Sequence, residues 1–303
     1  MEPSSYIFDI KPYAINDGPG IRLTIFFKGC PLSCKWCHNP ESISPKKQKF
    51  YTEKKCIGAK KCIEICPNDA LKLTSNGLIT DYSKCKLCGL CADVCPTKAI
   101  EMSGNKYTLN ELMHKVEKER MFFESSGGGV TLSGGEPMMH PQIAIPLLEE
   151  LGKKGIHRTV DTSGYTSITN LNKFINHTDL FLFDLKVVDQ KKHIEFTGKS
   201  NKKIIENLNY LSDTGTDYII RIPLIKGVNT SEKDFYQFAE LINNLTYKPK
   251  EINILPYHDI AKMKYKKLGS SYDDEGLSAP TEDDISKMEE IFSQFNLEIT
   301  VGG

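Results

Sequence analysis

The chain has 303 residues, and Lys plus Arg balances Asp plus Glu at 39 each, which excludes the basic field that holds nucleic acid or an anionic membrane surface. No run of about 18 apolar residues is available to span a bilayer, and the first ten residues show no charged segment leading into an apolar stretch, so a cytoplasmic protein is expected. Ten cysteines in a reducing compartment are then expected to serve metals rather than disulfides.

The first apolar run, residues 23–27, reads as a buried strand and leads directly into Cys30, Cys34 and Cys37. Three thiolates in a Cys-x3-Cys-x2-Cys loop face one iron–sulfur cube and leave its fourth iron open to a substrate. A zinc knuckle or plain buried thiols is the alternative for this motif alone. Residues 41–55 are polar, Lys-rich and aperiodic, and read as a connector.

A repeat follows. The run from Cys56 reappears from Cys85, with Cys62 matching Cys91, Cys66 matching Cys95 and Pro67 matching Pro96. This is the layout of a bacterial two-cluster ferredoxin, in which the fourth cysteine of each run reaches the other cluster. Cys85, Cys88, Cys91 and Cys66 are therefore expected to hold one complete four-iron cluster. Cys56, Cys62 and Cys95 are left for a second, and Ala59 stands where its remaining cysteine is expected. That second site is a three-iron cluster, a four-iron cluster completed by water or a nearby oxygen or nitrogen ligand, or no cluster; zinc is the alternative for Cys85 to Cys95. Exposed clusters of this kind imply an anaerobic or microaerobic host.

From about Lys106 helix and strand alternate. Leu109, Leu112, Met113, Val116 and Phe123 form a helical stripe over 109–124. Strands are expected at 129–132, 158–161, 180–186, 218–222 and 252–255, with helices at 142–154, 171–176, 203–212 and 232–245. A helix at 282–295 and a strand at 297–301 close the chain. Such alternation implies a parallel sheet wound by right-handed crossovers, and about six strands favour a partial barrel over an eight-fold one.

Polar residues gather at the strand ends, where chemistry sits in such folds. Ser133-Gly134-Gly135-Glu136-Pro137 offers a turn whose glycines let a ligand approach the backbone and whose Glu136 accepts from an amine. Asp161-Thr162 and Asp184-Leu185-Lys186 end the next two strands; each Asp reads as part of an oxygen-lined site or as a helix N-cap. Arg221 is a charge on an apolar strand that requires a partner, and it is one of only four arginines, with Arg22, Arg120 and Arg158. His258 follows the next strand, where a lone histidine is more often structural than catalytic.

Together these motifs resemble the glycyl radical enzyme activating enzymes, a group within the radical S-adenosylmethionine superfamily. Gly18-x-Gly20-x-Arg22, Phe26 and Gly29-Cys30-x3-Cys34-x2-Cys37 look like that group's signature, and the likeness continues through Gly134-Gly135-Glu136-Pro137, Asp161-Thr162, Asp184-Leu185-Lys186, Arg221 and Leu255-Pro256-Tyr257-His258. The Cys-rich insert resembles the ferredoxin-like domain of the branch that activates enzymes other than the standard pyruvate formate-lyase. The implied fold is a partial parallel (β/α)6 barrel of radical SAM type, formed by residues 1–46 and 107–303 and interrupted at 47–106 by a ferredoxin-like α+β insert.

The resemblance also implies roles. Cys30, Cys34 and Cys37 would ligate a catalytic 4Fe-4S cluster whose free iron chelates S-adenosylmethionine, and the adenosyl radical formed on reduction would take a hydrogen from a glycine of a partner glycyl radical enzyme. Trp36 and His38 would lie near the adenine; Gly134, Gly135 and Glu136 would form the turn that receives the methionyl amine. Lys186 and Arg221 would pair with carboxylate charge, and His258 would contact the ribose. Asp161, Thr162 and Asp184 match positions that hold a monovalent cation, and Asp17 matches the position that touches the inserted glycyl loop. The insert clusters would relay electrons from a flavodoxin or ferredoxin, or serve only as a docking platform. Two other functions are weighed against this one: a radical enzyme acting on a small molecule or another peptide, and a nonenzymatic iron–sulfur electron carrier. The Asp17-Gly-Pro-Gly lead opposes the first, and the missing ligand at Cys30 to Cys37 opposes the second.

Overall fold

The computed structural model describes residues 4–75, 77–273 and 275–302. Its first strand, β1 (Ser4–Ala14), turns through the Asp17-Gly-Pro-Gly loop into β2 (Arg22–Phe27), and the two pair antiparallel. β1 alternates buried and half-exposed side chains at its start, as an outer strand does, whereas five of the six residues of β2 are buried, as expected for a strand covered on both faces.

The expected connector carries structure. A one-turn helix, Pro40–Ile43, follows the Cys loop, and β3 (Gln48–Tyr51) begins the insert. β3 finds its partner only at β6 (Ile100–Ser103), after β4 (Leu71–Thr74) and β5 (Gly77–Thr80) have paired with each other. A pairing about fifty residues away leaves no local periodicity, which is why the segment reads as a loop in sequence. One-turn helices Lys61–Glu64 and Leu90–Asp93 carry the two copies of the cysteine repeat. The chain has returned to the large sheet by β7 (Asn105–Thr108), which pairs antiparallel with β1.

β8 (Gly129–Gly134), β9 (His157–Thr162), β10 (Leu180–Asp184), β11 (Tyr218–Leu224), β12 (Glu251–Pro256) and the two-residue β13 (Thr300–Val301) complete the nine-stranded sheet, ordered β13-β12-β11-β10-β9-β8-β2-β1-β7. β2 and β8 to β13 run parallel. β13 and β7 remain edges, so this is an open, partial barrel.

Helices cover the outer face. Pro141–Lys153 buries Ile143, Ala144, Leu147, Leu148 and Leu151 against the sheet, and Glu232–Asn243 buries Phe235, Phe238, Ala239 and Ile242. At about 1.5–3 kcal/mol for each large side chain fully buried, these faces hold the crossovers in place. The stripe expected over 109–124 is two helices, Leu109–Lys118 behind a Thr108/Glu111 capping box and Arg120–Ser126, separated at Glu119. Helices Gln190–Thr197 and Lys262–Leu268 are additional to the sequence reading. Among the described residues no helix is long and apolar enough to cross a membrane.

Candidate active site

The Cys loop is held from three sides. The Gly29 and Cys30 amides donate to the Ser42 and Ile43 carbonyls at 2.6 and 3.1 Å, and the Ser33 and Lys35 amides donate to Thr197 and Phe196 at 2.9 and 3.0 Å. The helix Gln190–Thr197 is thus the clasp for the loop, and its last carbonyls, orphaned by helix geometry, find their donors there. From below, the buried Lys28 ammonium donates to the Glu41 carbonyl and to Gln48 Oε1 at 2.8 Å, tying the loop to the base of the insert. Burial lowers the Lys28 pKa to about 8.

The Gly134-Gly135 turn continues the sheet alongside this loop. The Gly135 amide donates to the Phe27 carbonyl and the Glu136 amide to the Gly29 carbonyl, both at 2.8 Å. A Cβ at Gly135 would lie 2.1 Å from the Gly29 oxygen, and one at Gly134, whose φ is +105°, would lie 2.5 Å from the Phe27 nitrogen. It is the approach of the Cys-bearing strand that demands glycine at both positions. Glu136 is fully buried: its carboxylate accepts from Thr162 Oγ1 at 2.8 Å, Ser163 Oγ at 2.6 Å and the Ser163 amide at 3.0 Å. Burial pushes its pKa up against those bonds. Glu136 therefore braces the Asp161-Thr162-Ser163 turn and, unlike the other barrel residues expected to bind the cofactor, does not line the cleft.

That cleft opens over the C-terminal ends of the parallel strands. Cys30, Cys34, Cys37, Trp36 and His38 line one wall; Gly134, Gly135, Asp161 and Thr162 line the next; Asp184, Lys186, Arg221 and His258 close it, with Asp17 at the rim. His38 and His258 stack at 4.1 Å between ring centroids, and burial followed by the His258 charge lowers the His38 pKa. Trp36 packs with Val187, Ile225, Val228 and Tyr257.

The charges at the strand ends form one chain. β10 and β11 are registered with Asp184 beside Arg221. Arg221 Nη1 lies 3.8 Å from Asp161 Oδ1, its Nε lies 4.0 Å from Asp184 Oδ1, and Lys186 Nζ binds Asp184 Oδ2 at 2.7 Å. Burial works against the Lys186 ammonium, but Asp184 and the Cys34 sulfur hold its pKa above the usual lysine range. Burial pushes the Asp161 carboxyl up to about 6, with Arg221 pulling it down and Asp184 pushing it further up. Its Oδ2 accepts from Ser133 Oγ at 2.6 Å. Asp161 Oδ1 and Arg221 Nε and Nη1 are buried without hydrogen-bond partners, and buried polar atoms of that kind are costly unless a ligand completes them.

Several supporting contacts escaped the sequence reading, although it singled out Arg22 and Asp17 themselves. Arg22 is wholly buried: its Nε donates to Thr131 Oγ1 at 2.6 Å, Nη1 to the Pro19 carbonyl at 2.9 Å and Nη2 to the Val130 carbonyl at 2.7 Å. It pins the loop that carries Asp17, whose own Oδ2 accepts from Thr24 Oγ1 at 2.7 Å. Asn39 and Glu41 accept from Lys264 at 2.6 and 2.9 Å, so the helix Lys262–Leu268 braces the far side of the Cys loop. Neither a buried arginine's partners nor Lys264 had a local signal, because each contact joins residues more than a hundred positions apart or depends on backbone carbonyls.

In the insert two cavities separate the seven remaining cysteines. Cys66, Cys85, Cys88 and Cys91 line one, and Cys56, Cys62 and Cys95 line the other together with Ala59. Among the described residues no three of His, Cys, Asp or Glu converge on a single-ion position. Each cavity gathers the sulfurs that the repeat assigns to one cluster. In the barrel, burial pushes the Cys34 thiol up to about 12 and raises Cys30 and Cys37 too. Bare thiols there stay protonated at neutral pH, so they become ligands only with a cationic metal centre beside them.

Comparison with known families agrees with this geometry. Residues 84–239 match the Radical SAM superfamily, 16–74 match a 4Fe-4S single cluster domain and 55–99 match a 4Fe-4S dicluster domain. The chain is therefore a radical SAM protein with iron–sulfur cluster domains. It is 42% identical over 300 residues to the trans-4-hydroxy-L-proline dehydratase activating enzyme of Clostridioides difficile, covering 98% of this chain and 99% of that one. Identity to the choline trimethylamine-lyase activating enzyme of Oleidesulfovibrio alaskensis is 38%, covering 99% of both chains. Among solved structures, a domain of pyruvate-formate lyase-activating enzyme from Bacteroides vulgatus matches with a TM-score of 0.51 at 35% identity, covering 58% of this chain and all of that domain. A radical SAM methyltransferase from Sphaerobacter thermophilus shares the fold, with a TM-score of 0.55 at 13% identity over 99% of this chain and 77% of that one. Within the superfamily the chain belongs to the glycyl radical enzyme activating enzymes, which cleave S-adenosylmethionine reductively and abstract a hydrogen atom from a glycine of a partner enzyme.

Proposed function

We propose that the cleft residues divide this reaction as follows. Cys30, Cys34 and Cys37 hold a 4Fe-4S cluster that, when bound, supplies the reducing electron and the iron that chelates S-adenosylmethionine. Arg221 receives the methionyl carboxylate through its two unpartnered nitrogens, with Lys186 supplying further positive charge. The unpartnered Oδ1 of Asp161, with Thr162 and Asp184, takes a monovalent cation beside that carboxylate. The turn at Gly134 and Gly135 receives the amine through its backbone, since the Glu136 carboxylate is already committed to Thr162 and Ser163. Trp36 and His38 border the adenine, His258 the ribose, and Asp17 meets the glycyl loop of the partner.

In the insert, Cys66, Cys85, Cys88 and Cys91 hold a complete 4Fe-4S cluster and Cys56, Cys62 and Cys95 an incomplete one, and together they pass electrons from a flavodoxin or ferredoxin to the barrel. Ten cysteines assigned to clusters rather than to disulfides favour a reducing, cytoplasmic location. The observation that carries the reading is the pairing, in one cleft, of a three-cysteine loop with buried charged atoms that lack partners. Arg221→Ala tests it. A charge-assisted hydrogen bond to a carboxylate contributes about 1.5–3 kcal/mol, so the Kd for S-adenosylmethionine should rise roughly 10- to 100-fold with cluster content unchanged. Unchanged affinity would remove Arg221 from the binding set.

A further inference from the structure

We propose that the three-cysteine site of the insert is itself a ligand-binding site: its cluster presents one iron without a protein ligand, facing solvent at Ala59 and open to a small thiolate. This rests on the reading of the insert as a two-cluster domain.

The repeat sets the comparison. Ala59 occupies the place that Cys88 fills in the four-cysteine cavity. Among the described residues lining the three-cysteine cavity there is no histidine, aspartate or glutamate to substitute for the missing thiolate. The two side-chain oxygens in its wall belong to Tyr51 and Thr97. Tyr51 accepts from the Leu78 amide at 3.0 Å, and Thr97 lies 3.9 Å from Cys95 Sγ, beside a sulfur already counted as a ligand. Lys60 and Lys61 are the remaining polar groups, and an ammonium has no lone pair to give. Among the described residues no side chain lining the cavity completes the site.

Access is open where the ligand is missing. Gly58, Ala59, Lys60 and Lys61 are all exposed, and a Cβ built at Gly58 would meet only Leu73, at 3.8 Å. The exposed Lys60 and Lys61 line the cavity beside Ala59 with positive charge, which favours an anionic donor. Thiolate is the anion best matched to cluster iron.

The test uses the full chain with Cys30, Cys34 and Cys37 changed to Ala, so that only the insert clusters report. After anaerobic reconstitution, ferricyanide removes one electron and the unprotected iron leaves as Fe2+, converting a four-iron cluster to a three-iron one. An oxidised three-iron signal is expected by electron paramagnetic resonance. It should fall at least tenfold in Ala59→Cys and persist in Ala59→Ser, while the reduced signal of the four-cysteine cluster, unchanged in all three, confirms folding. Adding 2-mercaptoethanol should alter the reduced spectrum of the Ala59 chain and leave that of Ala59→Cys as it was. A three-iron signal equal in Ala59→Cys, or missing from the Ala59 chain, overturns the open iron; an indifferent reduced spectrum overturns the thiolate. Iron and sulfide sufficient for one cluster alone would overturn the two-cluster reading underneath.

Discussion

At the scale of single residues, the strand-end charges carry the most specific consequences. Asp161 is raised to about 6 chiefly by burial, so between about pH 4 and pH 6 the folded chain holds a proton that the unfolded chain has released. Stability from this group is therefore lost as pH rises through that window, and is level above it. In cluster-free protein, the unfolding free energy of the wild type relative to Asp161→Asn should fall between pH 4 and pH 6, by an amount on the order of 1–3 kcal/mol. A difference that is flat with pH would show that Asp161 is not raised. The sequence showed Asp161, Asp184 and Arg221 as separate strand ends; their chain of contacts depends on the β9-β10-β11 register, which one strand at a time does not reveal. Glu136 taught the converse lesson. Its motif was legible, but the direction of its side chain follows from Thr162 and Ser163 on the neighbouring strand.

At the scale of elements, the parallel strands were plain because each is a short apolar run between turn residues. β1, β3 and β7 were not, since their partners lie across the hairpin or across the whole insert. The helix Gln190–Thr197 was hidden for another reason: it buries only His193 and Thr197 and has little apolar stripe. Its local stability rests on its N-cap, where Asp189 accepts from the Lys191 and Lys192 amides at 2.9 and 3.1 Å. Asp189→Ala should cost about 1 kcal/mol. Because the other end of this helix clasps Ser33 and Lys35, the catalytic cluster should also be lost to a chelator several-fold faster. Unchanged chelation kinetics would show that the Cys loop holds its shape without the clasp.

At the scale of the whole molecule, the insert and the cleft are joined through Lys28, Glu41 and Gln48, a buried junction directly beneath the Cys loop. This junction has no sign in the sequence, because the partners of Lys28 lie 13 and 20 positions away and one is a backbone carbonyl; the cysteine repeat was readable, and its sulfurs line two separate cavities. Relay through the insert makes Cys88→Ala informative. Cleavage of S-adenosylmethionine driven by flavodoxin or ferredoxin should fall tenfold or more, while cleavage driven by a small chemical reductant should remain near wild type. Equal loss with both reductants would point to a structural role for that cluster.

The central claim is that the radical formed in this cleft is passed to a glycine of another protein. Anaerobically reconstituted protein, reductant and S-adenosylmethionine should be mixed with a glycyl radical enzyme from the same organism and observed by electron paramagnetic resonance. A glycine-centred doublet that disappears in Cys37→Ala is the predicted result; cofactor cleavage with no doublet would contradict it.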